Sequence, residues 1–460
     1  MIVLSIILPF IAAVIFGFAL PFLLVNIYHA ITKWSDTTKT TIILWAISIG
    51  TILPIILTKR NLSLEAELFR PFSTGTAGFA FMTTRIATLL AIGVALVMLS
   101  RGLTTRRQSV VDSVSLLAWT FAIYFIGTVL VVSLGSEYPD FTYKYSYVLI
   151  TIGSFFFLGQ YNLYKVNCNV KTILFVVVLG SLIAIMVAPN LVLLKPYKGL
   201  IPGLNFRLFG ITSHANTLGL VSLVLILLEV YFPSRRLLRI VILTASTVVF
   251  VLAQSKTAWV TLSGLVLGVY VPNLLVRYQI KQSCQRSIKL FVAVCMLMLA
   301  IISSVPFATD LEKFLHIHSD LTTFTGRTAI WKKTLMEWYN YPLFGYGPGI
   351  WGLEYRIKAG MLYAGQAHNQ FIQTIGESGG IGLFLIVCYL MVLLQYAIRY
   401  YTQSKGLILS LWIIILFRCF SEAPLRPLVF IDWAFFIHAL MIIYTVYYAR
   451  SSESAPLGQY

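Results

Sequence analysis

Apolar runs of about 20 residues recur along the whole chain, and each is long enough to cross the hydrocarbon core of a bilayer as a helix. They lie near 3–28, 40–58, 79–100, 113–134, 144–162, 171–190, 215–232, 237–253, 256–274, 288–306, 379–400, 406–421 and 429–449. Pro9 and Pro21 can kink or split the first. The opening run is too long for a cleavable signal peptide and lacks a basic leader, so it reads as a span. Of the 460 residues, 58% are hydrophobic and 11% charged, against roughly 25% charged in a soluble domain. A water-soluble enzyme, a disordered chain and a fibrous one are thereby excluded. The expected fold is all-α: one polytopic membrane unit of about 12–13 transmembrane helices.

Short connections set the direction. Arg101, Arg106 and Arg107 form one basic group; Lys165 and Lys171, Arg235, Arg236 and Arg239, Arg277, Lys281, Arg286 and Lys289, and Arg399 and Lys405 form others. The positive-inside rule puts all of them in the cytoplasm. The connection 135–143, with Glu137 and Asp140, then lies outside, as does the long insert 307–378. The resulting organisation is N-terminal spans over 1–190, central spans with two outer loops over 191–306, an extracytoplasmic loop over 307–378, and C-terminal spans with a cytoplasmic tail over 379–460. Net charge is +18, from 34 basic and 16 acidic residues. Topology accounts for about half of the cations; the outer ones call for anionic lipid or substrate phosphate. With no soluble basic domain to hold it, nucleic acid is not an expected partner. The five cysteines (Cys168, Cys284, Cys295, Cys388, Cys419) include no CxxC pair, so neither a disulfide nor a zinc site is expected.

The 307–378 insert is the one sizeable hydrophilic segment, and loops of this length are usually functional. Residues 326–340 read as an amphipathic helix with Ile330, Trp331, Leu335 and Trp338 on one face, suited to the membrane interface. Tyr341-Pro342 stops it, a glycine-rich turn follows, and a second short helix feeds the span at 379 through Gly379-Gly380. Trp331, Trp338 and Trp351, with Tyr339, Tyr341, Tyr346, Tyr355 and Tyr363, offer faces for sugar rings or an interfacial aromatic belt.

No GxxxxGK[ST] loop, Asp-x-Asp pair or Gly-x-Ser-x-Gly elbow is present, and His316-x-His318 is the nearest approach to metal-ligand spacing. No metal and no cofactor are expected. Arg207 (before the span at 215), Lys256 (in the outer turn AQSKTAW) and Arg327 all fall on the outer side. Converging there, they can hold a diphosphate, with Arg as a fork and Lys as a point charge; apart, each would snorkel to lipid headgroups. His368, beside Asn369, is the candidate general base, with His214 second and suited to binding or structure. Glu377 either orients a partner or ends a helix. Arg85, Glu229, Arg418 and Glu422 are costly in a membrane and should be paired. The i, i+4, i+8 spacing of Arg418, Glu422 and Arg426 allows pairing within one helix.

In order, RLFGITSHANTLG, QSKTAW, TGRTAIW with PLFGYGPGIWG, and AHNQFIQTIGESGGIGLFL resemble the O-antigen ligase/polymerase superfamily over roughly residues 200–395. The resemblance implies the fold of lipid-carrier-dependent glycosyltransferases (GT-C-like) in the bacterial inner membrane, with the active site facing the periplasm. It implies inverting, metal-independent transfer of glycan from undecaprenyl diphosphate to an acceptor hydroxyl. That acceptor is a glycan for an O-antigen or exopolysaccharide repeat-unit polymerase, the closer likeness, or lipid A–core for a ligase. Chain-length regulators and flippases are the implied protein partners, beside membrane lipids. By position, Arg207 matches the arginine ahead of the H-x-N-x-L-G segment that holds His214 and Asn216. Arg327 matches the GR-x-x-x-W arginine, with Trp331 as the W, and His368 the base. Lys256 stands where many members have Arg, and Ala215 where they often have Pro or Lys. The rival classes are a lipid-linked oligosaccharide flippase and a membrane scaffold. The loop carrying both Arg and His speaks against the first, and the outer cations against the second.

Overall fold

A computed structural model describes residues 24–62, 76–105, 113–197, 199, 201–270, 325–360 and 364–453. The expected spans at 3–28 (apart from a helical 24–28) and 288–306, the loop positions 307–324 with His316 and His318, and Tyr363 lie outside the described residues. The remainder is helical. In chain order come α1 (Asp36–Leu57), α2 (Thr76–Thr104), α3 (Ser115–Gly135), α4 (Tyr145–Phe155), α5 (Leu163–Val187), α6 (Ala215–Tyr231), α7 (Arg236–Leu252), α8 (Lys256–Leu265), α9 (Thr325–Asn340), α10 (Gln370–Arg399), α11 (Leu407–Ser421) and α12 (Trp433–Glu453). A two-stranded antiparallel ribbon, β1 (Leu193–Leu194) with β2 (Arg207–Leu208), pairs Leu194 with Arg207.

Five described helices, α1, α2, α3, α5 and α10, are long and apolar enough to cross a membrane. Shorter apolar helices include α4, α6 and α11. The chain is a multi-pass membrane protein. A helix buried on every side belongs at the centre of a bundle, and 407–416 of α11, 433–446 of α12 and 215–225 of α6 are buried without interruption. Around them, α2 and α5 turn large apolar side chains outward, Leu89, Met186 and Val187 among them, as lipid-facing helices must.

The two ends of the bundle differ in chemistry. At one, Asp36 accepts from the Gly159 amide at 2.6 Å, Tyr231 meets Ser410, and Tyr396 donates to the Ser113 carbonyl. Buried Lys171 there reaches Glu229 at 3.0 Å and Ser234 at 2.7 Å, so Glu229 is paired as its burial demands. Lys171 and Lys165 lie within α5 rather than in a connection, because Asn162 caps that helix by accepting from the Lys165 amide. At the other end stand the 58–62, 136–144, 188–197, 201–214 and 253–255 connections, 341–360, 364–369 and 422–432.

The segment around α9 and the start of α10 has its own core. Ile330, Trp331, Tyr346, Ile350, Trp351, Tyr355, Ala364, Ala367 and Ile372 are buried against one another. This corrects two expectations. Helix α9 turns Ile330 and Trp331 into protein rather than lying on lipid, and Trp331, Tyr346, Trp351 and Tyr355 have no free face for a sugar. A segment of this size with so many aromatic side chains gains most by burying them against one another. Helix α10 breaks at Gly379 (φ +60), where Gly380 donates to the Pro342 carbonyl at 2.8 Å and the Leu343 carbonyl leaves no room for a Cβ. Its first part, 370–378, thus packs with that core and has His368 at its entrance.

Candidate active site

One half of the site hangs from the β-ribbon. Its register presents Arg207, whose Nε donates to the Ala253 carbonyl at 3.0 Å and whose NH2 donates to Asn216 Oδ1 at 2.6 Å, while its guanidinium lies over Tyr197. Ser255 also donates to Asn216 Oδ1, at 3.1 Å. Asn216 is therefore a bracket joining α6 to the 253–255 turn. His214 caps α6: its Nδ1 accepts from the Asn216 amide at 3.1 Å, leaving Nε2 to carry the proton. Burial, reinforced by the Arg207 charge, drops its pKa to about 4, so the ring is neutral and donates from Nε2.

The other half is built where the outer loop enters α10. His368 Nδ1 lies 3.0 Å from Glu422 Oε2, and Gln366 donates to the same oxygen at 2.9 Å. A carboxylate only accepts, so in neutral His368 the proton sits on Nδ1 and Nε2 keeps a free lone pair. His368 has φ +50, a left-handed conformation rare outside glycine, and Asn369 behind it caps α10 by accepting from the Phe371 and Ile372 amides. The strained turn aims the ring at Glu422. Burial alone would raise the Glu422 carboxyl; the His368 hydrogen bond and the charges of Arg418, His368 and Arg327 outweigh it and hold it near 2. Arg327 donates to the Ser421 carbonyl at 3.4 Å beside this pair.

The halves face one another. Burial lowers the pKa of both Arg207 and Arg327, and Arg327 further lowers that of Arg207; His214 feels Arg207, Glu422, Arg418 and His368 together. Two partly desolvated arginines, one histidine with a free lone pair and one with a free N–H thus share one site at that end of the bundle. Such a set can bind a dianion and take a proton from a hydroxyl.

Four sequence-selected residues stand apart. Lys256 is exposed at the first turn of α8 and makes no ion pair or side-chain hydrogen bond among the described residues. Trp331 is buried, its Nε1 donating to the Ala367 carbonyl at 2.7 Å, a prop beneath His368. Asn369 spends its side chain on the cap. Glu377 is drawn to Arg426 at 2.7 Å and Gln373 at 2.8 Å. That last pair corrects the intrahelical reading of Arg418, Glu422 and Arg426: α11 ends at Ser421, so Glu422 and Arg426 leave the helix and pair with the loop and α10.

Sequence reasoning did not single out Glu422 as the partner of His368, nor Arg60. Arg60 donates to the carbonyls of Leu191, Gly210, Thr212 and Ser213 at 2.8–3.3 Å, clamping the segment that leads to His214. Gln254 (φ +44) donates to the Phe206 carbonyl at 2.6 Å and fixes the residue before Arg207. The one available signal was the cost of ionisable residues so close to a membrane.

Residues 240–387 match the family model described as O-antigen ligase. Over those residues the chain is similar to the O-antigen ligase/polymerase superfamily. No curated protein matches it. The matched segment holds Lys256, Arg327 and His368; Arg207 and His214 precede it and Glu422 follows it. The similarity supports a membrane glycosyltransferase of the ligase/polymerase type.

Proposed function

We propose that the chain transfers glycan from undecaprenyl diphosphate to an acceptor hydroxyl on the outer face of the bacterial inner membrane, as a repeat-unit polymerase for O-antigen or exopolysaccharide. The observation that carries this reading is the His368–Glu422 pair set opposite two partly buried arginines. Arg207 and Arg327 hold the diphosphate, and His214 adds an N–H to one of its oxygens. The leaving group is already anionic, so it needs positive charge and no proton. His368 Nε2 takes the acceptor's proton as its oxygen attacks the anomeric carbon from the face opposite the diphosphate. The new C–O bond forms, the bond to phosphate oxygen breaks with its electron pair leaving on the diphosphate, and the configuration inverts. Glu422 stabilises the imidazolium that results. No metal is required by this sequence of bonds.

The test is the surface polysaccharide of a deletion strain, complemented with wild type, His368→Ala or Arg327→Ala. Single repeat units accumulating on the outer-leaflet carrier, unrelieved by either variant, support the polymerase. Long chains made on the carrier but missing from lipid A–core would make it a ligase. Activity near wild type in both variants would remove the assigned roles.

A further inference from the structure

Arg418 is the cation that the proposed mechanism leaves unused. It lies in the last turn of α11 with 6% of its surface exposed. Among the described residues its guanidinium makes one hydrogen bond, from NH2 to Thr217 Oγ1 at 3.2 Å, and Nε and NH1 are buried without a partner. Among the described residues no carboxylate lies within ion-pair distance of it. The nearby acids are engaged elsewhere: Glu422 Oε2 accepts from His368 and Gln366, and Asp432 Oδ1 accepts from the Ala434 amide. Burial raises the pKa of Asp432 on balance despite the Arg418 charge. A buried guanidinium with two free donors is costly unless an anion comes to it.

Position says which anion. Thr217 belongs to the first turn of α6, whose amino-terminal end carries partial positive charge. The Arg418 charge also reaches both His214 and Glu422, so it borders the site. α11 runs outward, which puts Arg418 one turn, about 5–6 Å, closer to the bilayer centre than Glu422 and the base. In a lipid-linked diphosphate, the phosphate esterified to the prenyl chain is the deeper of the two. We propose that Arg418 binds this lipid-side phosphate of the donor, through the Nε and NH1 donors that the protein leaves free, while Arg207 and Arg327 serve the sugar-side phosphate. The assignment rests on the donor chemistry proposed above and adds to it a residue and a depth.

The experiment measures binding of undecaprenyl diphosphate and undecaprenyl monophosphate to the full chain in phosphatidylcholine nanodiscs, for wild type, Arg418→Gln and Arg418→Lys, with thermal melting as the check on folding. A monophosphate carrier has the lipid-side phosphate alone. Arg418→Gln should therefore weaken both ligands by about tenfold or more, a factor equivalent to one charge-assisted contact. Arg418→Lys should recover part of the loss. If the glutamine variant does not fold, the lysine variant alone should bind both ligands about three- to tenfold more weakly than wild type, since it lacks the fork. Unchanged affinity in a folded variant overturns the assignment. A loss confined to the diphosphate overturns the depth argument, and displacement of the monophosphate by phosphatidylglycerol would make this a general headgroup site. A shift in the acid limb of the pH–rate profile with unchanged affinity would leave Arg418 as a counter-ion for Glu422. If wild type binds neither carrier, the donor chemistry itself falls.

Discussion

Nδ1 of His368 and Oε2 of Glu422 lie 3.0 Å apart although 54 residues separate them in the chain. One stands at the entrance of α10 and the other just past the end of α11, two helices that pack side by side. In a neutral His368 this contact puts the proton on Nδ1 and leaves Nε2 free, as the proposed base requires.

Glu422→Gln should slow glycan transfer by about 10²-fold, a sizeable part of what a general base contributes, with little change in KM. The amide cannot stabilise the imidazolium as a carboxylate does. A rate assay on purified protein with a lipid-linked donor checks this; a KM effect alone would make Glu422 a binding residue.

Arg207→Ala and Lys256→Ala should differ sharply. Loss of the partly buried arginine should cost about 10²–10³ in rate, by analogy with loss of an oxyanion donor. Lys256 is exposed with no ion pair or side-chain hydrogen bond among the described residues, so its removal should stay within about threefold, the scale of a screened surface charge. Equal losses in the same assay would place Lys256 in the site.

Trp331→Ala should destabilise the outer loop by about 3–5 kcal/mol, the usual cost of deleting a buried aromatic side chain. Trp331→Phe should keep most of the packing and lose the hydrogen bond to Ala367. Thermal melting in detergent separates them. A stable Trp331→Ala protein with weakened acceptor binding would instead mark a sugar-stacking residue.

His214 carries a pH signature. Its pKa is about 4 in the folded chain against 6.5 for the free side chain, so between those values the unfolded chain holds a proton that the folded one does not. Stability should therefore rise with pH across 4 to 6.5, by at most about 3 kcal/mol, and be fully present above 6.5. Glu422 acts lower: with a folded pKa of about 2, its contribution is present above about 4.5 and lost as pH falls toward 2. His214→Gln should flatten the upper window alone, and melting curves from pH 4 to 7 read it directly.

Cysteine introduced at exposed Tyr339 should react with an impermeant reagent from outside the cell, and cysteine at exposed Thr402 only after permeabilisation. The reverse pattern would turn the site to the cytoplasm and end the proposed use of an outer-leaflet donor.

Much of the layout was legible in the chain. The expected spans at 40–58, 79–100, 215–232, 237–253 and 406–421 coincide with α1, α2, α6, α7 and α11 within a few residues, because hydrocarbon thickness imposes a length that composition reports. The break of α10 at Gly379 was visible as Gly379-Gly380 between two periodic stretches. Less legible were the surroundings of α9. Its amphipathic pattern fits lipid or protein equally, and here the apolar face meets Tyr346, Trp351 and Ala367 rather than a membrane.

By itself, then, the sequence determined that this is a polytopic helical membrane protein with cations and a histidine in the segments that join its spans. Length, hydropathy and loop charge are local quantities, and they act independently of which helices become neighbours. Tertiary structure decided the partners. Whether Glu422 pairs with Arg418 along one helix or with His368 across two depends on where α11 ends and what stands beside it. Whether Trp331 holds a sugar or props up His368 depends on the loop having a core of its own. Hydrogen bonds act over about 3 Å, and only the folded chain brings residues so far apart in sequence to that distance.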